Sequence, residues 1–302
     1  MKIAVIGATG MLGIPVVVEL VNAGFEVTAL VRNPERAKRI LPAQTVIAEA
    51  DVTDIESLKR GLVGQDAVYL SLSVAPTEKK DDFHAEAEGL DNILTAARFC
   101  GVRRVAYLSA MIQDGDAKGW WVIDVWRKAI AKIKSSGIPF TIFYPTNFME
   151  TLEQRHGAGR FLALFGTARY PNYWIAGRDF GRQVAASFQL DEAANREFVI
   201  QGPEALTYEE AGRRFAKHSR SRLYILTIPL PLIKALGRFS QSMDFNYRIM
   251  DAVLSYPEVF KAEEAWKALG KPSMTIEEFA RSRVRATWPR SEEVASSIPN
   301  SN

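Results

Sequence analysis

Three glycines, Gly7, Gly10 and Gly13, stand in the run Ile3-Ala-Val-Ile-Gly7-Ala-Thr9-Gly10-Met11-Leu12-Gly13, where an apolar, strand-like segment gives way to a helical pattern. That spacing suits a turn that wraps backbone amides around a phosphate. Gly7 permits a tight turn, Gly10 leaves room for the backbone to approach a pyrophosphate, and Gly13 lets the helix pack closely on the strand. The helix that follows offers unpaired N–H groups and the positive end of its dipole to the same anion. Arg32 ends a second apolar run, Ala29-Leu30-Val31-Arg32, 19 residues beyond Gly13. Sites for NAD usually carry an acidic residue there, against the ribose hydroxyls, whereas a guanidinium suits a 2′-phosphate through planar, charge-assisted hydrogen bonds. NADP(H) is therefore expected in preference to NAD(H), against the plainer reading of Arg32 as a solvated surface arginine. Asp51 and Val52, after a third apolar run, stand where an adenine ring is commonly held. The Asp51 carboxylate is equally placed to cap the neighbouring helix. Ser71, at the edge of a fourth run, is expected to pass beside the middle of the cofactor.

The elements that must position these residues can be read from the alternation of short apolar runs with helical patterns. The runs are Lys2 to Ile6, Glu26 to Val31, Thr45 to Ala48, Ala67 to Leu72, Arg104 to Ser109 and Pro139 to Tyr144. They are largely apolar, as strands buried on both faces of a parallel sheet are. Between them, Gly24 stops a first helix, Asn33-Pro34 reads as N-cap and first helical residue, and Asp54 caps Ile55 to Leu62. Helices are predicted over Lys79 to Cys100, ended by Gly101, and over Ala117 to Ser136, ended by Gly137. This is an α/β Rossmann pattern, a doubly wound parallel sheet over residues 1–145. A smaller C-terminal substrate lobe over 146–285 follows, with a helix Arg182 to Leu190 and a segment near 197–201 returning to the sheet. The polar, Ser-rich tail from 286 to 302 is expected to be disordered.

Composition narrows the function further. With 38 Lys+Arg against 35 Asp+Glu among 302 residues the net charge is only +3, and the basic residues are scattered, so nucleic acid is not an expected partner. The single cysteine, Cys100, lies in an apolar helical stretch and reads as a small core hydrophobe. Asp114-Gly115-Asp116 lacks the further ligands of a calcium loop, and His84, His156 and His218 are too scattered for zinc, so no metal is expected. No run of 18 apolar residues suggests a membrane span, and without a visible leader the expected location is the cytoplasm.

Longer motifs carry a resemblance. GATGMLG (7–13), LVRNPERA (30–37), ADVTD (50–54), SSGIPFTIFYPTNFME (135–150), WIAGRDFGRQVA (174–185) and QGPEALTYEEAG (201–212) occur in order. In these the chain resembles the NmrA-like, atypical short-chain dehydrogenase/reductases, related to the type 2 quinone oxidoreductases, from residue 1 to about 282. The resemblance implies that Tyr144, Pro145, Thr146 and Asn147 form the loop beside the nicotinamide, that Phe148 and Met149 lead to the substrate side, and that Ser109 matches the superfamily's active-site serine. A lone serine at a strand end also reads as a turn cap.

The chain departs from the family where protons would be handled. Catalytic members place a lysine eleven residues before the glycine of the SGIP segment, and the wider superfamily a tyrosine four residues earlier. Here those positions hold Trp126 and Val122. Neither can act as an acid or as a cationic partner lowering a tyrosine pKa. Lys128 is turned about 200° from Trp126 on a helix and is no evident substitute, and Lys132 and Lys134 are the other lysines nearby. Two functions are expected: an NADPH-dependent oxidoreductase passing hydride directly to a flat acceptor such as a quinone, which needs no such relay, or an NADP(H)-sensing regulator acting through a protein partner. A sugar-nucleotide epimerase, which relies on the missing pair, is weaker. Trp120, Trp121, Trp126, Tyr170, Tyr173 and Trp174 are candidates for an aromatic acceptor pocket or for packing.

Overall fold

The computed structural model describes residues 1–115, 119–154, 156–158 and 160–283. The tail expected to be disordered lies outside them. The strands, in chain order, are β1 (Lys2–Ile6), β2 (Glu26–Val31), β3 (Val46–Glu49), β4 (Ala67–Leu70), β5 (Arg104–Leu108), β6 (Phe140–Pro145), β7 (Asn147–Phe148), β8 (Gly157–Ala158), β9 (Phe161–Phe165), β10 (Asn172–Ile175), β11 (Arg196–Ile200), β12 (Ala205–Leu206) and β13 (Tyr224–Ile228). Seven form one parallel sheet in the order β3, β2, β1, β4, β5, β6, β11. The order reverses between β1 and β4, where a doubly wound sheet opens a crevice at its carboxyl edge.

Successive residues of β1 serve opposite cores: Ile3 and Val5 pack with Val17, Leu20 and Phe180, Ala4 and Ile6 with Leu58, Leu90 and Ile142. Helices α1 (Gly13–Asn22), α2 (Pro34–Ile40), α3 (Ile55–Leu62), α4 (Glu88–Phe99) and α5 (Trp121–Lys134) provide the crossovers. Asn33 and Asp54 cap α2 and α3 as their types predict, accepting from the Arg36 and Glu56 amides.

Two of these crossover helices differ from expectation. The stretch 79–87 is not helical, and α4 begins only at Glu88. A side chain takes a backbone donor the helix would need: Glu88 accepts from the His84 amide, which in a helix would bond to the Lys80 carbonyl, while Glu78 accepts from the Ala75 amide and Asp82 from that of Lys79, closing the turns before it. Helix α5 is described over Trp121–Lys134, shorter than the predicted 117–136, and Ala117 lies outside the described residues.

Beyond β6, α6 (Glu150–Gln154), α7 (Gly177–Gln189), α8 (Tyr208–His218), α9 (Leu230–Gly237) and α10 (Gln241–Ser255) accompany two three-stranded sheets, β12-β10-β7 and β13-β9-β8. Helix α7 starts five residues before the predicted Arg182. Its first amide, on Gly177, donates to the buried Glu150 carboxylate at 2.9 and 3.0 Å, a cap 27 residues away that no local pattern announces. Leu162, Trp174, Tyr208, Met250 and Phe279 join in a further core. Among the described residues no helix is long and apolar enough to cross a membrane.

Candidate active site

Register brings the sequence-selected residues to one edge of the sheet. Ile6 pairs with Leu30 and Leu70, and Leu108 with Phe143, so the next residues along, Gly7, Val31, Ser71, Ser109 and Tyr144, emerge side by side. Bonds such as Ser71 N–H to the Ile6 carbonyl and Ser109 N–H to that of Phe143, both 2.9 Å, extend the ladder into the loops.

The glycine turn has the geometry its spacing predicted. Gly7 has φ +85°, and a Cβ there would lie 2.2 Å from the Ser71 carbonyl oxygen. A Cβ on Gly13 would come within 2.0 Å of the Gly7 oxygen. Gly10 differs: it is exposed, and a Cβ would meet only the Gly7 oxygen, at 3.2 Å. Its side chain direction is open space above the turn. Thr9, Met11 and Leu12 are half-buried around it. No side chain caps α1, and no acidic residue stands in its first turn, which leaves its N-terminus suited to an anion.

Arg32 is exposed at the end of β2 and makes no hydrogen bond or ion pair with another described residue. Asp51 does not cap α3, a role taken by Asp54. Its Oδ1 instead accepts from the Thr53 amide at 2.9 Å and the Thr53 hydroxyl at 2.8 Å. The Val52 carbonyl accepts from Asn92 at 2.9 Å.

From this turn a cavity of about 310 Å³ runs toward the small sheets. Met11, Leu12, Ser109, Pro145 and Asn147 line one part, and Trp126, Phe148, Trp174, Tyr208 and Phe245 another. Among the described residues, Ser109 Oγ and Asn147 Nδ2 are buried without a hydrogen-bond partner, as are Asn172 Oδ1 and the Tyr208 hydroxyl farther in. Buried polar atoms are seldom left so, and four of them lining one cavity fit a polar ligand. With the open face of Gly10 and the uncapped α1, they fit a dinucleotide along the crevice with a second molecule beyond it.

Tyr144 is not brought to this cavity. Strand alternation turns it away from its neighbour Phe143, and its hydroxyl donates to Glu197 at 2.5 Å in a separate cleft of about 390 Å³. Of the aromatic candidates, Trp126 and Trp174 line the cavity. Trp120 packs on Phe245, ring centroids 5.3 Å apart, Trp121 stacks on His84, Tyr173 meets Phe260, and Tyr170 is exposed.

Val122 is fully buried among Trp120, Ile123 and Phe245. No lysine of α5 replaces the missing one: Lys128 is exposed, Lys132 pairs with Asp91 and Lys134 with Glu197. Trp126 does something else. Its indole Nε1 donates to Glu86 Oε2 at 3.0 Å, while the Tyr107 hydroxyl donates to Oε1 at 2.7 Å. Glu86 is 2% exposed and lines the cavity. Burial pushes its carboxyl up to about 7, against the downward pull of the Tyr107, Trp126 and Val74 N–H hydrogen bonds and with a small push from the Glu78 charge.

Sequence reasoning missed Glu86 by assigning it to a helix. It also missed the wall from α10, which includes Phe245, Ile249 and Met250, and it missed Glu258. The last accepts from Thr146 at 2.8 Å and Gln201 at 2.6 Å, tying the distant segment after α10 to the loop 145–148. Burial raises its pKa, with those hydrogen bonds opposing.

The NAD(P)H-binding family model matches residues 7–164, just over half of the chain, and the chain belongs to that family. It is 32% identical to a (4-alkanoyl-5-oxo-2,5-dihydrofuran-3-yl)methyl phosphate reductase of Streptomyces griseus over 69% of this chain and 70% of that one. It is 26% identical to quinone oxidoreductase 2 of Escherichia coli over 70% of this chain and 68% of that one. The structure of Citrobacter sp. triphenylmethane reductase complexed with NADP(H) superposes with TM-score 0.69 at 17% identity, over 92% of this chain and 98% of that one, and shows the shared fold. These relatives are named reductases and an oxidoreductase, in line with the oxidoreductase expected from the sequence.

Proposed function

We propose that the chain is an NADPH-dependent reductase that passes hydride to a flat, conjugated acceptor of the quinone type. The observation that carries this reading is the single cavity that begins at the glycine turn, passes the unpartnered Ser109 Oγ and Asn147 Nδ2, and continues between aromatic walls. When bound, a nicotinamide cofactor supplies a hydride to whatever the cavity holds. In this reading the turn from Gly7 to Gly13 and the N-terminus of α1 hold the pyrophosphate, Asp51 and Val52 flank the adenine, Ser71 passes beside the middle of the cofactor, and Ser109, Pro145 and Asn147 orient the reactive end. Arg32, exposed and unpaired among the described residues, supports selection for the 2′-phosphate. Trp126, Phe148, Trp174 and Phe245 offer faces for a planar ring and keep water out. The names of the curated relatives, a reductase of an alkanoyl-oxo-dihydrofuran and a quinone oxidoreductase, support an acceptor with conjugated carbonyls. A quinone that takes hydride becomes an anion, and the proton it then picks up need not come from positions 122 and 126.

The test is NADPH titration followed by NADPH oxidation against a panel of quinones, with Gly10→Val as the control. Saturable binding and quinone turnover, both abolished by Gly10→Val, are expected. Binding without turnover of any acceptor would refute the enzyme, and binding that survives the valine would refute the site.

A further inference from the structure

We infer that Glu86 is the proton donor of the acceptor cavity, delivering its carboxyl proton to the oxygen of the acceptor as hydride arrives. The inference rests on the reductase reading above and supplies what that reading lacks, a group at the cavity wall able to give up a proton. Three observations carry it.

The first is position. The segment 79–87 leaves the helical path expected of it and carries Glu86 from the β4–α4 connection to the wall that also holds Ser109, Ala110 and Trp126. The second is the way the carboxyl is held. Tyr107 from β5 and Trp126 from α5 each donate to one oxygen. An indole N–H only donates, whereas a tyrosine hydroxyl can also accept, so Oε1 can carry a proton without losing its partner. The third is charge. No cation among the described residues pairs with Glu86, and the groups that face it are the Tyr107 hydroxyl, the Trp126 indole, the Val74 N–H and, farther off, Glu78, which is itself hydrogen-bonded to His84 at 2.6 Å. Tyr107 is held protonated by burial and by the Glu86 charge, and cannot compete as the acid near neutrality. Burial without a counter-charge keeps the Glu86 carboxyl neutral up to about pH 7, so it has a proton to give in the range where a general acid is most useful.

The step balances with a nicotinamide as the reductant. The acceptor takes up a hydride and its electron pair and becomes an oxyanion. The Glu86 O–H bond breaks as the new O–H bond forms on that oxygen, which leaves the hydroquinone, or the alcohol from an isolated carbonyl, the oxidised nicotinamide and a Glu86 carboxylate. Water then returns the proton to Glu86. A glutamate kept only to satisfy Tyr107 and Trp126 would be matched by glutamine, and that comparison is the test.

The first measurement needs neither cofactor nor acceptor. In protein labelled with ¹³C-glutamate, the Glu86 side-chain carboxyl resonance, assigned by its loss in Glu86→Gln, is followed from pH 5 to 9. A midpoint close to neutrality is expected, and it should move upward in Trp126→Phe, which removes one hydrogen bond to the carboxylate. The second is the pH dependence of kcat with NADPH and a simple quinone. The wild type should lose kcat as pH rises through the same midpoint, and Trp126→Phe should carry both midpoints up together. Glu86→Gln should lose about 10²-fold or more in kcat at pH 6 with little change in the KM for NADPH. A Glu86 resonance already fully ionised at pH 5, or a Glu86→Gln kcat within about threefold of wild type, overturns the role while leaving the reductase standing. Absence of turnover in the wild type, with Glu86 titrating as expected, removes the reductase reading and this role with it.

Discussion

Replacing Glu86 by glutamine should change the stability of the protein by an amount that depends on pH. In the folded chain burial raises this carboxyl from its ordinary value near 4.5 to about 7. The folded state therefore binds the proton more tightly than the unfolded chain does, and stability must fall as pH rises between those two values. Below about pH 4.5 both states are protonated and the group costs nothing. Above about pH 7 both are ionised, and folding has to bury the charge. At about 1.4 kcal/mol per pH unit the gap amounts to about 3 kcal/mol. Glutamine has nearly the same shape and never ionises, and its amide can accept from the Trp126 indole and donate to the Tyr107 hydroxyl, as the protonated carboxyl does. The variant should thus match the wild type below about pH 4.5, be about 1 kcal/mol more stable near pH 5 and about 3 kcal/mol more stable near pH 8. Urea unfolding followed by tryptophan fluorescence at pH 5, 6, 7 and 8, comparing midpoints and slopes, reads the difference directly. A stability difference that stays constant across this range would refute the argument, because it would mean that Glu86 titrates alike in the folded and unfolded chains.

Other substitutions separate binding from folding. Arg32→Ala should remove most of the preference for NADPH over NADH, a loss of about 1 to 3 kcal/mol measured by titration with both cofactors, and equal affinities in the unmutated protein would count against the role given to Arg32. Gly13→Ala should cost about 1 to 3 kcal/mol of stability in urea unfolding, because its Cβ would be driven to 2.0 Å from the Gly7 carbonyl oxygen. Gly10→Val should leave the unfolding midpoint nearly unchanged while NADPH binding is lost, since its side chain meets little protein.

How much of this was legible in the sequence follows from the range of the interactions involved. The turn Gly7 to Gly13, the caps Asn33 and Asp54, and the six central strands depend on residues within a few positions of one another, and all stand within a residue or two of where apolar runs and turn chemistry put them. Alternation along β6 could also have warned that Tyr144 points away from the face of Phe143. The rest depends on partners far along the chain. Helix α7 begins where Glu150 caps it, and the loop 145–148 is tied down by Glu258. The helical periodicity of 79–100 is present in the sequence, but the Glu88 side chain takes the His84 amide that a helix would bond to the Lys80 carbonyl. That local competition is what frees Glu86 to face the cavity.

The tryptophan at 126 and the glutamate at 86 are best understood as one feature. Where the resemblance leads one to expect a lysine, a cation would sit beside the Glu86 carboxylate, and an opposite charge at that distance would hold the carboxyl ionised through the neutral range. An indole in the same place offers a single neutral N–H, at 3.0 Å from Oε2, and leaves burial to dominate. The same exchange removes the lysine that would have helped a tyrosine release its proton, while position 122 is a fully buried valine with no proton to release. Losing the lysine and retaining a protonatable carboxyl are therefore not separate departures from the family pattern. The absence of the first is the electrostatic condition for the second, and the proton source moves from the helix α5 to the loop that the sequence had suggested was helix α4.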